Sequence, residues 1–134
     1  MDTILLKYHH LGNEYLVYDI CKNNQELNER AVRTICTRNF GLGAQGILVG
    51  PVLDGQNVSM KIYQPDGKET RVDKDAAEIF MQYLEDAGYS TRRPLVLHTE
   101  AGDISSGSVQ GMEAAEVIGK MYLSESFVFG KYRH

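Results

Sequence analysis

The 134-residue sequence has no long apolar run, few cysteines and no excess of basic residues. No apolar stretch reaches the roughly 18 residues of a membrane-spanning helix, so we predict neither a transmembrane helix nor a membrane partner. The first residues lack the basic and apolar regions of a secretory signal peptide. The two cysteines, Cys21 and Cys36, follow no metal-binding or redox spacing. We therefore expect a cytoplasmic protein with both thiols free.

Acidic residues outnumber basic ones, 18 against 14, and the net charge is −4. A general nucleic-acid binder normally carries a basic face, so this balance argues against direct nucleic-acid binding. Residues 66–86 hold seven acids and three bases, a difference that equals the net charge of the whole chain. We expect an acidic surface there, although most charge runs on helices are solvated faces without a further role.

The residue patterns predict a single α+β domain over residues 1–134. β-branched and aromatic runs predict strands at residues 3–9, 15–20, 47–50, 58–63 and 95–99, with weaker strands up to 109 and over 114–121, and a candidate edge strand at 127–129. Helical spacing predicts a first helix from the candidate N-cap Asn28 to about Phe40, and a second from Asp73 to Ala87. We expect a curved mixed sheet wrapped around a central helix.

Four segments resemble, in order, the N-terminal lobe of diaminopimelate epimerases: residues 7–15, 35–46, 60–69 and 97–103. Within them Asn13 matches the family's substrate-contacting asparagine, and Gln64 stands where the family has another asparagine. Gln45 replaces the acidic residue of the family's glycine-rich loop. The resemblance covers residues 5–105. It implies a barrel-like lobe, a second lobe facing it across a cleft, and no cofactor.

In the family, as the resemblance implies, each lobe supplies one cysteine to the cleft. One thiolate removes the α-proton of an amino acid and the other thiol returns a proton to the opposite face. A helix N-terminus favours the thiolate, and its backbone amides bind the substrate carboxylate. Here the family's Cys-Gly-Asn-Gly aligns with Asp73-Lys74-Asp75-Ala76. We therefore expect no catalytic residue, with Asn13 and Gln64 as remnants of a substrate site.

Several residues allow a catalytic or metal-binding interpretation, and in each case the structural one is preferred. Exposed aspartates are poor bases for an α-proton but common N-caps, so Asp73 is predicted to be a cap. Cys36 falls at a helix C-terminus, where the dipole disfavours a thiolate, and is predicted to be a core residue. His9 and His10 would point to opposite faces of a strand, so a metal site with His98 is not predicted.

The leading hypothesis is a non-catalytic epimerase-fold binding module. The chain ends soon after the first lobe, so we expect no second lobe, and a lone lobe leaves a surface for a partner to cover. That partner would be a second copy, as a homodimer, or a protein with a basic face such as a nucleic-acid-binding complex. The predicted partner-binding residues are Asp66, Glu69, Asp73, Asp75 and Glu78.

By analogy with other compact acidic proteins, such a module suits a phage-encoded inhibitor of a bacterial defence complex, for example an anti-CRISPR protein in the host cytoplasm. Two alternatives stay open. One is an amino-acid epimerase or racemase of the diaminopimelate epimerase type, and the other is a small-molecule sensor that works as a dimer.

Overall fold

A computed structural model of the protein describes residues 2–10, 12–23, 27–35, 45–107 and 116–124. These residues form eight strands and two helices: β1 Asp2–His10, β2 Asn13–Asp19, α1 Glu29–Ile35, β3 Ile47–Asp54, β4 Asn57–Tyr63, β5 Glu69–Thr70, α2 Lys74–Asp86, β6 Val96–Thr99, β7 Gly102–Ser105 and β8 Glu116–Ser124. The candidate strand at 127–129, the predicted core residue Cys36, and Gly41 and Gly43 of the glycine-rich loop lie outside the described residues.

The described strands belong to one mixed sheet with the order β7-β6-β4-β3-β2-β1-β8, and the short β5 pairs with β4. β1 pairs antiparallel with both β2 and β8. β2 and β3 run parallel, as do β4 and β6. Parallel neighbours require a crossover connection, and the two crossovers carry α1 and α2 respectively. The predicted α+β class is therefore confirmed.

Each face of the sheet is covered by one helix. Successive residues of a strand point to opposite faces, and β2 shows this alternation clearly. Tyr15 and Val17 belong to the larger core cluster, which includes the buried side of α2. Leu16 and Tyr18 belong to a smaller cluster with the buried residues of α1. The longer helix α2 is thus the main support of the sheet, and α1 adds a second layer.

The second helix has the predicted extent because both of its ends are capped. Asp73 accepts a hydrogen bond from the backbone N–H of Ala76 at 2.8 Å, and the last capping residue is Ala87. Gly88 follows with a φ of +87°, a left-handed conformation that glycine adopts without strain, and so ends the helix. The predicted cap of α1 is also confirmed, since Asn28 Oδ1 accepts from the N–H of Ala31 at 2.8 Å.

The structure corrects the predicted boundaries of the β3–β4 hairpin and of the last strand. The sequence predicted β3 to end at residue 50, but pairing continues to Asp54, which lies opposite Asn57. Only two residues, Gly55 and Gln56, then form the turn, and Gly55 has the positive φ that such a tight turn requires. β8 begins two residues later and ends three residues later than the predicted 114–121.

Candidate functional site

The side-chain carboxylate of Asp73 caps the start of α2. Asp73 lies in an extended conformation, with φ −91° and ψ 173°, and its Oδ1 accepts from Ala76 N. Its backbone carbonyl accepts from Ala77 N at 3.0 Å. The first amides of a helix have no partner within the helix, and one of them is satisfied here by Asp73. The predicted N-cap role of Asp73 is confirmed.

The turn between β1 and β2 reaches the same place. Asn13 Nδ2 donates to Asp75 Oδ2 at 3.1 Å, although 62 residues separate them in the sequence. Tyr15, two residues further along β2, is buried. Burial raises the pKa of Tyr15, and the charges of Asp73 and Asp75 raise it further. We name these four residues, Asn13, Tyr15, Asp73 and Asp75, the helix-start cluster.

The end of the glycine-rich segment borders this cluster through main-chain contacts. Glu14 N donates to Gln45 Oε1 at 3.0 Å, and Gln45 N donates to the carbonyl of Glu14 at 2.8 Å. Lys7 Nζ lies 3.0 Å from Glu14 Oε1. Gln45 therefore fixes the backbone next to Asn13.

A further carboxylate approaches from the β6–β7 turn. Glu100 Oε1 accepts from Val72 N at 3.3 Å, directly before the cap of α2. Hydrogen bonds from its own backbone N–H and from that of Val72 hold the pKa of Glu100 below its usual value, and Arg71 nearby acts in the same direction. The entrance to α2 thus carries three carboxylates, Asp73, Asp75 and Glu100. Arg71 and Lys74 lie in the same stretch, so the entrance carries a small excess of negative charge, which disfavours an anion and favours a cationic group.

The other predicted residues are spread along the neighbouring surface. Glu78 lies one turn further along α2, with its carboxylate 3.9 Å from Lys74 Nζ. Asp66 and Gln64 lie in the exposed turn between β4 and β5, which packs against the first residue of α1, and Glu69 is exposed in β5. The described contacts therefore join Asn13 with Asp75 beside the Asp73 cap. Asp66 and Gln64 belong to a turn beside the other helix.

A polar network that was not predicted from the sequence lies at the opposite end of α2. Asp19 is only 4% exposed and accepts hydrogen bonds from the hydroxyls of Tyr83 and Tyr89, the latter at 2.7 Å. Its Oδ1 also accepts from Cys21 N at 2.7 Å, and Cys21 is a free thiol. Lys22 Nζ lies 5.8 Å from the centre of the Tyr89 ring. Two features of the sequence could have indicated this network: a lone carboxylate at the end of an apolar strand, and tyrosines on the buried face of a helix.

His98 is held by two polar side chains. Its Nδ1 lies 2.9 Å from Asp103 Oδ1 and its Nε2 lies 2.7 Å from Asn57 Oδ1.

Among the described residues, no three His, Cys, Asp or Glu side chains are grouped to hold a metal ion. Within the same ranges, no helix is long and apolar enough to cross a membrane.

Comparison with known proteins places these observations in context. The chain is 37% identical over 101 residues to diaminopimelate epimerase 2 of Nostoc sp., covering 75% of this chain and 35% of that protein. It is 31% identical over 98 residues to the diaminopimelate epimerase of Caldanaerobacter subterraneus, with 73% and 35% coverage. The chain is a relative of diaminopimelate epimerases. It spans about a third of the length of these curated relatives. No protein-family model matches it.

Solved structures show the same fold at low sequence identity. A hydroxyproline epimerase from Agrobacterium vitis, solved with trans-4-hydroxy-L-proline, has a TM-score of 0.56 at 17% identity, covering 78% of this chain and 36% of that one. A PhzF-family phenazine biosynthesis protein from Enterococcus faecalis has a TM-score of 0.53 at 17% identity, with 78% and 40% coverage. The chain therefore has the architecture of a single epimerase-type lobe.

Proposed function

We propose that this diaminopimelate epimerase relative binds a cationic group at the helix-start cluster and does not transfer a proton there. The observation that carries the proposal is the cap: Asp73 Oδ1 already accepts from Ala76 N. In the family, as the resemblance implies, a cysteine occupies this position and the amides of the helix start bind the substrate carboxylate. Here a carboxylate of the chain itself accepts from one of those amides.

The charge of the cluster supports a cationic ligand. Asp73 and Asp75 are both exposed, and Glu100 lies beside them without burial. Each exposed carboxylate repels a carboxylate ligand and attracts an ammonium group, and solvent screening keeps each such interaction weak. The relatives are named for an amino acid that carries amino groups. The ammonium group of an amino acid, bound with its own carboxylate directed away from the cluster, is therefore the first ligand to consider.

Titration with diaminopimelate, monitored by thermal shift and calorimetry, tests this binding. A ligand of the native state raises the melting temperature. We expect Asp75→Asn to weaken binding by about threefold to tenfold, since one exposed ion pair is lost. Glu69→Gln is the matched control, because Glu69 is also an exposed carboxylate but lies outside the cluster. Equal binding of an N-acetylated amino acid, or no effect of Asp75→Asn, would contradict the proposal.

A second candidate is a protein partner with a basic face, and the exposure of the acidic residues favours it. Asp66, Glu69, Asp73 and Asp75 are all exposed, and Glu78 is partly so. Inhibition of a bacterial defence complex is one form of this function, and a homodimer is another arrangement for the lobe. Charge reversal at Asp75 should abolish capture of a purified nucleic-acid-binding complex. Capture that survives the reversal, or no capture at all, would reject this candidate.

Amino-acid epimerisation is the activity for which the curated relatives are named. For this chain to share it, Asp73 would have to act as the base at the start of α2, in place of a thiol. Its carboxylate is engaged with the helix instead, and this is why we rank epimerisation below binding. Exchange of the substrate's α-proton with solvent distinguishes epimerisation from binding without proton transfer.

A further inference from the structure

A groove lies beyond the C-terminal end of α2, at the opposite end of the helix from the helix-start cluster. Its volume is about 420 Å³, within the usual range for small-molecule sites. The β3–β4 hairpin forms one wall and the loop between α2 and β6 forms the other. The groove is lined by Leu53, Gly55, Gly88, Tyr89, Thr91, Arg92, Arg93 and Leu95.

The loop that carries most of this lining is anchored at both ends. At its start, Tyr89 N donates to Leu84 O at 2.9 Å, and the Tyr89 hydroxyl is bonded to the buried Asp19. At its end, Leu95 N donates to Ser106 Oγ at 2.9 Å. Val96 N donates to Gln56 O at 2.8 Å, which ties the loop to the hairpin on the other wall. A groove whose walls are fixed in this way loses little conformational entropy when it binds a ligand.

Two arginines give the groove its charge. Arg92 and Arg93 are exposed, and in the described part of the chain neither forms an ion pair with an acidic side chain. Asp54 lies in the hairpin between the lining residues Leu53 and Gly55 and is exposed. The groove is therefore a cationic site on a protein whose net charge is negative.

We infer that this groove binds a small oxyanion with a planar apolar body, such as an aromatic phosphate monoester or carboxylate. Guanidinium groups match the geometry of phosphate and carboxylate oxygens and bind them by paired hydrogen bonds. Leu53 is 45% exposed and lines the groove together with Tyr89, so the two offer apolar surface for the body of the ligand. The site is separate from the helix-start cluster, and the inference does not depend on the proposed function.

Binding of phenyl phosphate, followed by the backbone amide signals of Gly88, Thr91 and Leu95, tests this inference. We expect saturable binding that is weakened at least about tenfold in the double variant Arg92→Gln/Arg93→Gln, because each charge-assisted hydrogen bond contributes a large share of the affinity of a small ligand. Lys61→Gln/Lys68→Gln is the control, since it removes the same charge from exposed positions outside the groove.

Other ligands test the anionic group and the apolar body of the proposed ligand separately. Inorganic phosphate should bind more weakly than phenyl phosphate, benzyl alcohol should not bind, and benzoate shows whether a carboxylate serves as well as a phosphate. Asp54→Asn should tighten binding of both anions. Absence of saturable binding to the native protein, an equal loss in the lysine control, or equal affinity for inorganic phosphate would each overturn the inference. Because all substituted side chains are exposed, an unchanged melting temperature shows that the variants fold.

Discussion

Replacing Asp73 tests how the helix-start cluster is built. Asp73 caps a 13-residue helix that contributes seven buried residues to the larger core. Asp73→Ala leaves the backbone N–H of Ala76 without its protein partner, and Ala76 itself is buried. We expect a loss of about 1 kcal/mol in the free energy of unfolding, the usual cost of an N-cap changed to alanine. Asp73→Asn keeps the hydrogen bond and should cost at most about 0.5 kcal/mol, from the lost interaction with the helix dipole.

Urea denaturation monitored by circular dichroism measures both variants. With a slope of about 1–3 kcal/mol per molar urea, the alanine variant should unfold at about 0.3–1 M less urea than the native protein, with the slope unchanged. The asparagine variant should lie close to the native midpoint. An alanine variant as stable as the native protein, or an asparagine variant as unstable as alanine, would refute the capping argument.

Three further predictions concern the buried network and the turns. Tyr83→Phe removes one hydroxyl bonded to the buried Asp19 and should cost about 1.5–3 kcal/mol in urea denaturation; a cost below about 0.5 kcal/mol would contradict the bond. Burial, followed by hydrogen bonds to carboxylates, raises the pKa of Tyr8 and of Tyr83. The unfolded chain loses these protons above its ordinary pKa of 10.0 and the folded chain keeps them. The contribution of these tyrosines to stability should therefore be constant below about pH 10 and fall above it by about 1.4 kcal/mol per pH unit for each tyrosine, less steeply in Tyr83→Phe. Gly55 and Gly67 both have positive φ, so alanine is strained at either position, and Gly55→Ala should lower the free energy of unfolding by about 1–2 kcal/mol. Gly67→Ala should lower it more, because only there would the new methyl group lie 2.5 Å from a backbone carbonyl of α1. Equal costs would reject this steric argument.

Elements with strong local signals were predicted well from the sequence. Helix α2 has caps at both ends and a clear apolar face, and its extent was predicted to within a residue. The hairpin boundaries were less accurate. Apolar and polar residues do not alternate regularly through residues 50–54, and only the partner strand β4 fixes where β3 ends. The sheet order was not predicted, because pairings such as β1 with β8 join residues more than a hundred positions apart.

The candidate site was predicted in part. The family resemblance pointed to Asn13 and to the start of α2, and a hydrogen bond joins Asn13 to Asp75. The resemblance could not show that Asp66 and Gln64 belong to a turn beside α1, since this depends on tertiary packing. Asp19 was also missed. The role of Asp19 depends on two tyrosines more than 60 residues away, and the residues that flank Asp19 in the sequence do not indicate these contacts.

Exchange of the α-proton with solvent is the most direct test of the claim that the helix-start cluster binds without proton transfer. The protein is incubated with diaminopimelate in deuterated water, and deuterium at the α-carbons is measured by mass spectrometry. A curated relative such as diaminopimelate epimerase 2 of Nostoc sp. is the positive control. We expect no incorporation above the protein-free background. Incorporation by the native chain that is abolished in Asp73→Ala but kept in Glu69→Gln would contradict the account, because it would make Asp73 a catalytic base.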